Sequence, residues 1–311
     1  MPLFKIQHIT TYRYDRLIQE SINEIRIFPS ISVEQEVLEQ ELVITGHPEV
    51  QLFVDYWGNK AGTFNLLEPH RELIINSRLM VRTTGLDVLQ INFLGVFQEL
   101  SGDRQGNFNL LELSKPEGIR SQSLIQEIVE RVQSPDDSVA ISIKNASDYI
   151  FEQFSYIKGI TNTDTTVDEI VEKRAGVCQD FAHLLLQILR TMEIPSRYVS
   201  GYICPHRSGL RGEGATHAWV EAWIPGSGWT GIDPTNKIWV TNTHVKLAVG
   251  KDFSDCSPVK GTFKGLARQT LSVFVSVDYE DGEVIEALNA VETPPEDRQP
   301  DSSRVSSASQ Q

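Results

Sequence analysis

The chain has 311 residues, of which 40% are hydrophobic and 23% charged, the profile of a globular protein with enough apolar material for about two domains. Its net charge of −14 argues against a nucleic-acid backbone as partner, because no basic stripe is present to neutralise phosphates. No signal-like apolar segment opens the chain and no run of about 18 apolar residues occurs, so no membrane association and a cytoplasmic location are expected.

Residues 1–85 read as an all-β domain, a small antiparallel sandwich or barrel. Phe4 to Tyr14, Glu24 to Phe28, Glu36 to Ile44, Gln51 to Tyr56 and Arg71 to Arg82 are β-rich runs. Turn signals at Pro29-Ser30, Gly46-His47-Pro48 and Gly58-Asn59-Lys60 separate them. Residues 86–118 read as a linker, with loops at Ser101 to Gly106 and Pro116 to Gly118. A catalytic domain is expected over residues 119–280. It begins with helices over Ser121 to Val132 and Asp137 to Phe154, followed by a short helix over Thr166 to Lys173.

Cys178 opens a helix that runs to about Met192 and stops before Pro195. The helix is apolar nearly all round, which predicts a buried central position. Strands are predicted over Ser196 to Cys204, Thr216 to Ile224 and Trp229 to Asp233, giving an α+β arrangement of a helix packed on an antiparallel sheet. A glycine-rich loop, Ser208 to Gly214, precedes His217 and could flank a cleft. His244 to Gly250 and Gln269 to Tyr279 read as further strands. The tail over residues 289–311, rich in proline, serine and charge, is expected to be disordered.

The chemistry concentrates at Gly176-Val177-Cys178-Gln179-Asp180, Thr216-His217-Ala218-Trp219 and Gly231-Ile232-Asp233-Pro234. A cysteine at a helix N-terminus meets partial positive charge and unpaired N–H groups, which favour a nucleophilic thiolate. A neighbouring imidazole can take the thiol proton. In the strand over Thr216 to Ile224, His217, Trp219, Glu221 and Trp223 share one face; Ala218, Val220, Ala222 and Ile224 share the other and should pack on core. The turn Pro225-Gly226-Ser227-Gly228 makes a hairpin that returns Asp233 towards His217, where a carboxylate can fix the imidazole tautomer. Cys178, His217 and Asp233 are therefore read as nucleophile, base and orienter. The backbone N–H of Cys178 and the side chain of Tyr156 are the candidate oxyanion donors.

Other residues carry blander readings. Asp180 cannot share the face of Cys178, and a helix cap or loop contact is expected of it. His183 lies about 140° round the helix from Cys178 and should point elsewhere. Trp219, Trp223 and Trp229 are read as core in preference to acyl-site lining. Cys204 and Cys256 are read as inert small hydrophobes, and three cysteines fit reduced thiols better than disulfides. His206 and His244 are read as surface or loop residues.

The three motifs together resemble the transglutaminase-like superfamily, nearest to a bacterial branch described as cysteine proteases. Tyr12-Arg13-Tyr14 and Asn23-Glu24-Ile25-Arg26 look like that branch's N-terminal β domain. His244 to Phe253 resembles its C-terminal stretch. The resemblance implies a papain-like core preceded by an all-β domain, and a Cys178, His217 and Asp233 triad. It also implies a protein or peptide substrate and acyl transfer from an amide through a thioester, ending in hydrolysis by a peptidase or amidase. No cofactor and no metal are expected, since the acidic calcium-site clusters of animal transglutaminases are not evident. Three alternatives stay open: a protein-glutamine transglutaminase that passes the acyl group to an amine, a non-catalytic binding or scaffold protein, and a metal site made from the same three side chains.

Overall fold

Alternating side chains at the N-terminus make one long strand, β1 (Leu3–Ile18), with Phe4, Ile6, Tyr12 and Tyr14 buried while Lys5 and Arg13 face water. The computed structural model describes residues 2–84, 90–204, 210–212, 216–279, 284–292 and 306–309. After β1 come β2 (Glu20–Ile25), β3 (Gln35–Ile44), β4 (Gln51–Val54), β5 (Lys60–Leu66) and β6 (His70–Thr83). The central part carries α1 (Phe97–Arg104), α2 (Phe108–Leu113), α3 (Gln122–Val132), α4 (Val139–Gln153), β7 (Ser155–Tyr156), α5 (Val167–Lys173), β8 (Ala175–Gly176) and α6 (Cys178–Thr191). It continues through β9 (Ser196–Ile203), β10 (Thr216–Ile224), β11 (Gly228–Asp233), β12 (Ile238–Trp239), β13 (His244–Gly250) and α7 (Phe253–Cys256). The chain then adds β14 (Val259–Lys264), β15 (Gln269–Tyr279), β16 (Val284–Glu292) and β17 (Ser306–Ser309).

The fold is α+β with three larger sheets. Two of them, ordered β16-β15-β1-β6-β3 and β17-β14-β2-β5-β4, form the N-terminal β unit; the third, ordered β12-β11-β10-β9-β13, carries the helices. Their pairings are antiparallel. Ala218, Val220, Ala222 and Ile224 on β10 join α3, α4 and α6 in one apolar core, as the alternation in that strand predicts. Tyr202, Cys204, Val245 and Leu247, from β9, β13 and the residue after β9, join the core of the β unit. One sheet is thus shared between two cores.

Helix α6 is central because Phe181, Leu184, Leu185, Ile188 and Leu189 are all fully buried. Each such side chain contributes about 1.5–3 kcal/mol through loss of apolar surface from water. Buried Arg190 on α6 is satisfied: its guanidinium donates to the carbonyls of Ser196 and Lys251, at 2.9 and 2.6 Å. The helix stops where Glu193 turns left-handed at φ 59° just before Pro195.

Several boundaries differ from the sequence expectation. Residues 259–279, assigned above to the catalytic domain, pair with the N-terminal strands: β14 lies beside β2, and β15 beside β1. Local pattern identifies a strand but not its partner, so this return of the chain has no sequence signal. Residues 86–118 were expected to be a linker, yet α1 and α2 lie within them because Leu100, Leu110 and Leu113 bury against neighbouring elements. Within the tail expected to be disordered, β16 pairs with β15 and β17 with β14; backbone pairing to existing edges orders these stretches despite their polar composition. Strands β5 and β14, whose glycines interrupt the apolar pattern, were not anticipated.

Candidate active site

The chain reaches Cys178 through a tight corner. Val177 is extended at the N-terminus of α6, and its N–H donates to the Asp180 carboxylate at 2.7 Å. Asp180 also accepts from the Thr161 hydroxyl at 2.6 Å, so it caps the helix and ties down a neighbouring loop. Gly176 makes room for this cap: a Cβ there would lie 2.6 Å from the Asp180 side chain. Burial raises the carboxyl of Asp180, against the hydrogen bonds from Thr161 and Val177. Cys178 is the first residue of α6 and is partly exposed. Its N–H is one of the four that the helix itself leaves unpaired.

His217 stands near the start of β10 and Asp233 at the end of β11, joined by the hairpin that the Pro225–Gly228 turn closes. Both side chains are fully buried, with Nε2 of His217 2.8 Å from Oδ2 of Asp233. The other ring nitrogen, Nδ1, has no hydrogen-bond partner of good geometry among the described residues. The Cys178 thiol lies near enough to the ring to influence its proton affinity. Burial would strip the imidazolium of its proton, but the Asp233 carboxylate outweighs it, and Cys178 adds to the effect. His217 is therefore held above the ordinary imidazole range. Burial opposes ionisation of Asp233 as well, yet His217 and His244 hold its carboxyl far below the usual range.

Asp233 is gripped on every side. Its Oδ1 accepts from the Thr235 N–H at 2.9 Å; its Oδ2 accepts from Asn236 Nδ2 at 2.7 Å and also lies 3.4 Å from His244 Nε2. Asn236 in turn clamps the backbone of Arg211 in both directions. This holds Gly212 against the imidazole, its open side facing both His217 Nδ1 and the Tyr156 hydroxyl. Tyr156, on β7 next to β8, is raised by burial and then by its ionisable neighbours Cys178, Asp233 and Asp180, with Arg211 opposing. Its hydroxyl is therefore protonated at neutral pH and available as a donor.

The structure brings Cys178, His217, Asp233 and Tyr156 to one place. It does not bring His183 there: the ring accepts from the Phe253 N–H at 3.1 Å and packs on Tyr198. Trp219 is buried, its ring stacked at 28° behind His217. Trp223 donates to Asp103, and Trp229 carries the Arg197 guanidinium on its face. Cys204 and Cys256 are buried, and burial raises both thiols.

His244 corrects the sequence reading, which placed it on the surface or in a loop. It is buried at the start of β13, its ring edge-on to Trp219. Only the pairing of β13 with β9 carries it to Asp233, and a lone histidine before an apolar run gives no hint of that. Asn236 was also missed, although an asparagine in a turn just after a strand is a common partner of local backbone. His206 and most of the glycine-rich loop over Ser208 to Gly214 lie outside the described residues. One ligand atom from each of His217, Asp233 and His244 falls within 4.8 Å of the others, so among the described residues these three side chains form a set that could take a divalent cation. The 2.8 Å separation of His217 and Asp233 is that of a charge-assisted hydrogen bond.

Residues 123–234 match the transglutaminase-like superfamily, and residues 4–82 match the bacterial transglutaminase-like N-terminal region. An uncharacterised protein of Mycobacterium leprae is 32% identical over 278 residues, covering 88% of this chain and 97% of that one. A protein-glutamine gamma-glutamyltransferase of Pseudomonas aeruginosa is 29% identical over 148 residues, 45% of this chain and 22% of that protein. The crystal structure of a candidate cysteine protease from Cytophaga hutchinsonii shares the fold, with a TM-score of 0.69 at 22% identity over 99% of this chain and 98% of that one. The chain belongs to the transglutaminase-like superfamily and carries the bacterial transglutaminase-like N-terminal region ahead of its core.

Proposed function

We propose that this protein is a thiol-dependent acyl-transfer enzyme that hydrolyses amide bonds of a protein or peptide substrate, as a peptidase or amidase. The observation that carries the reading is the buried His217–Asp233 pair set against the Cys178 thiol at the start of α6. In the first half-reaction Nδ1 of His217 takes the thiol proton and the sulfur attacks the amide carbonyl carbon. The carbonyl electron pair moves to oxygen, where the Cys178 N–H and the Tyr156 hydroxyl donate to it. The C–N bond then breaks, the leaving nitrogen takes the proton from His217, and a thioester remains on Cys178. In the second half, His217 removes a proton from water, the hydroxide attacks the thioester, and the carboxylic acid leaves as the thiol is reprotonated. Asp233 keeps the proton on Nε2 and stabilises the imidazolium formed in each half.

Transglutamination is the second reading, favoured by the similarity to the Pseudomonas aeruginosa gamma-glutamyltransferase. There an amine replaces water in the second half-reaction. No helix among the described residues is long and apolar enough to cross a membrane. The test is turnover of a peptide-amide library by the wild type and by Cys178→Ala. Loss of turnover in the variant supports thiol catalysis, and retained turnover refutes it. Adding a labelled primary amine separates the outcomes: incorporation assigns transglutamination, and none assigns hydrolysis.

A further inference from the structure

We infer that His244 is a positioning residue of this centre, acting through Asp233 as a neutral imidazole donor that, beside Asn236 and the Thr235 N–H, aims the carboxylate at His217. The inference rests on the proposed triad and adds a fourth member to it.

Three observations carry it. First, Nε2 of His244 lies 3.4 Å from Oδ2 of Asp233, the same oxygen that meets His217 Nε2 at 2.8 Å. Second, Nδ1 of His244 faces the Thr243 hydroxyl at 3.3 Å, and that hydroxyl faces Thr241 Oγ1 at 3.0 Å. A hydroxyl donating to Nδ1 leaves the imidazole proton on Nε2, where it points at Asp233. Third, the side chain is fully buried, with its ring against Trp219 at 5.2 Å and 6.1 Å from the His217 ring, so it has little freedom to turn away.

The charge state fits this role. Burial lowers His244, and the neighbouring His217 imidazolium lowers it further, against the pull of Asp233. A cationic His244 would neutralise the carboxylate that His217 needs. A neutral one orients it and leaves its charge intact. The other charged groups lining the cavity behind His244 are Glu34, Glu221 and Lys246; Glu221 is ion-paired with Lys246 at 2.6 Å. On the far side of His217 stand Cys178 and Tyr156, with Arg211 beside the latter. Asp233 keeps two further donors, Asn236 Nδ2 at 2.7 Å and the Thr235 N–H at 2.9 Å, both from the turn that follows it; His244 is the donor that reaches it from β13.

The test uses the full chain with histidine side chains labelled in nitrogen-15, and reads the His217 titration alongside the pH dependence of Cys178 alkylation by iodoacetamide. In the wild type, His217 keeps its proton above the ordinary imidazole range. In His244→Phe the titration moves down by a unit or more, and the alkylation rate near neutral pH falls by about 10- to 100-fold, the scale of loss for a misplaced catalytic group. His244→Gln, which offers an N–H near the position of Nε2, restores most of both. Thr243→Val frees Nδ1 and shifts both readouts in the same direction; it carries the test if His244→Phe does not fold. Unchanged readouts in these variants, with the wild-type titration still raised, overturn the role of His244 and leave the triad standing. An ordinary His217 titration in the wild type overturns the inference together with the ion pair beneath it.

Discussion

Gly212 packs against His217 so closely that a Cβ on it would sit 3.0 Å from Nδ1, the nitrogen on the thiol side of the ring. Its backbone is left-handed at φ 84°, a conformation glycine adopts without strain. Gly212→Ala should therefore push the imidazole away from the thiol. The expected result is a loss of kcat/KM of about 10- to 100-fold with a stability cost of only about 1–2 kcal/mol. Steady-state kinetics beside thermal unfolding checks both, and unaltered kinetics would remove Gly212 from the site.

Asp180 holds the chain's approach to Cys178. It fixes the backbone just ahead of the functional residue, with the Val177 N–H at 2.7 Å and the Thr161 hydroxyl at 2.6 Å. Asp180→Ala leaves both donors unpaired and should cost about 1–3 kcal/mol, measured as a shift in the urea midpoint. Asp180→Asn keeps an acceptor and should recover much of that loss. Equal destabilisation by both variants would mean that the cap does not depend on the hydrogen bonds.

Asp233→Asn keeps the shape of the pair and removes its charge. Burial then dominates at His217, so the imidazole loses its raised affinity for a proton. Activity should fall by roughly 10³–10⁴-fold, the scale seen when a triad carboxylate becomes an amide. Stability follows two opposite linkages. The folded value of His217 is raised, so its contribution is complete below about pH 6.5, the unfolded value, and fades as pH rises through the folded value. The folded value of Asp233 is depressed, so its contribution is present above about pH 3.9 and fades as pH falls through the folded value. The stability gap between wild type and variant should therefore be widest between about pH 4 and 6.5 and narrow on both sides. Urea denaturation across pH reads this directly; a gap that widens steadily above pH 7 contradicts it.

Tyr156→Phe removes one hydroxyl and almost no apolar surface. If that hydroxyl donates to the oxyanion, kcat should drop by about 10²–10³-fold while KM and thermal stability hold. A change confined to KM would make Tyr156 a substrate-binding residue.

Legibility from sequence followed the range of each interaction. Helix α6 was readable because the apolar run after Cys178 and the stop at Pro195 are local signals. The hairpin was readable because Pro225-Gly226-Ser227-Gly228 leaves few other ways to turn. These two elements were enough to expect Cys178, His217 and Asp233 together. Asp180 was expected to cap the helix or bind a loop, and it does both. His244 was not readable, since its role depends on β13 lying beside β9 and not beside β11. The same limit hid the return of β14 and β15 to the N-terminal sheets: Ile22 pairs with Thr262, and Phe4 with Tyr279, across most of the chain. Helix α2 was overlooked because Phe108–Leu113 is short and its N-cap, Asn107, sits in a stretch that reads as loop.

The most direct test of the account is the rate at which iodoacetamide alkylates Cys178 near pH 6, mapped by mass spectrometry in wild type and in His217→Gln. Cys204 and Cys256, both buried, serve as internal references. The account predicts rapid, selective modification of Cys178 in the wild type and a rate lower by at least about tenfold in the variant, because the imidazole that takes the thiol proton is gone. Equal rates in the two proteins would contradict it.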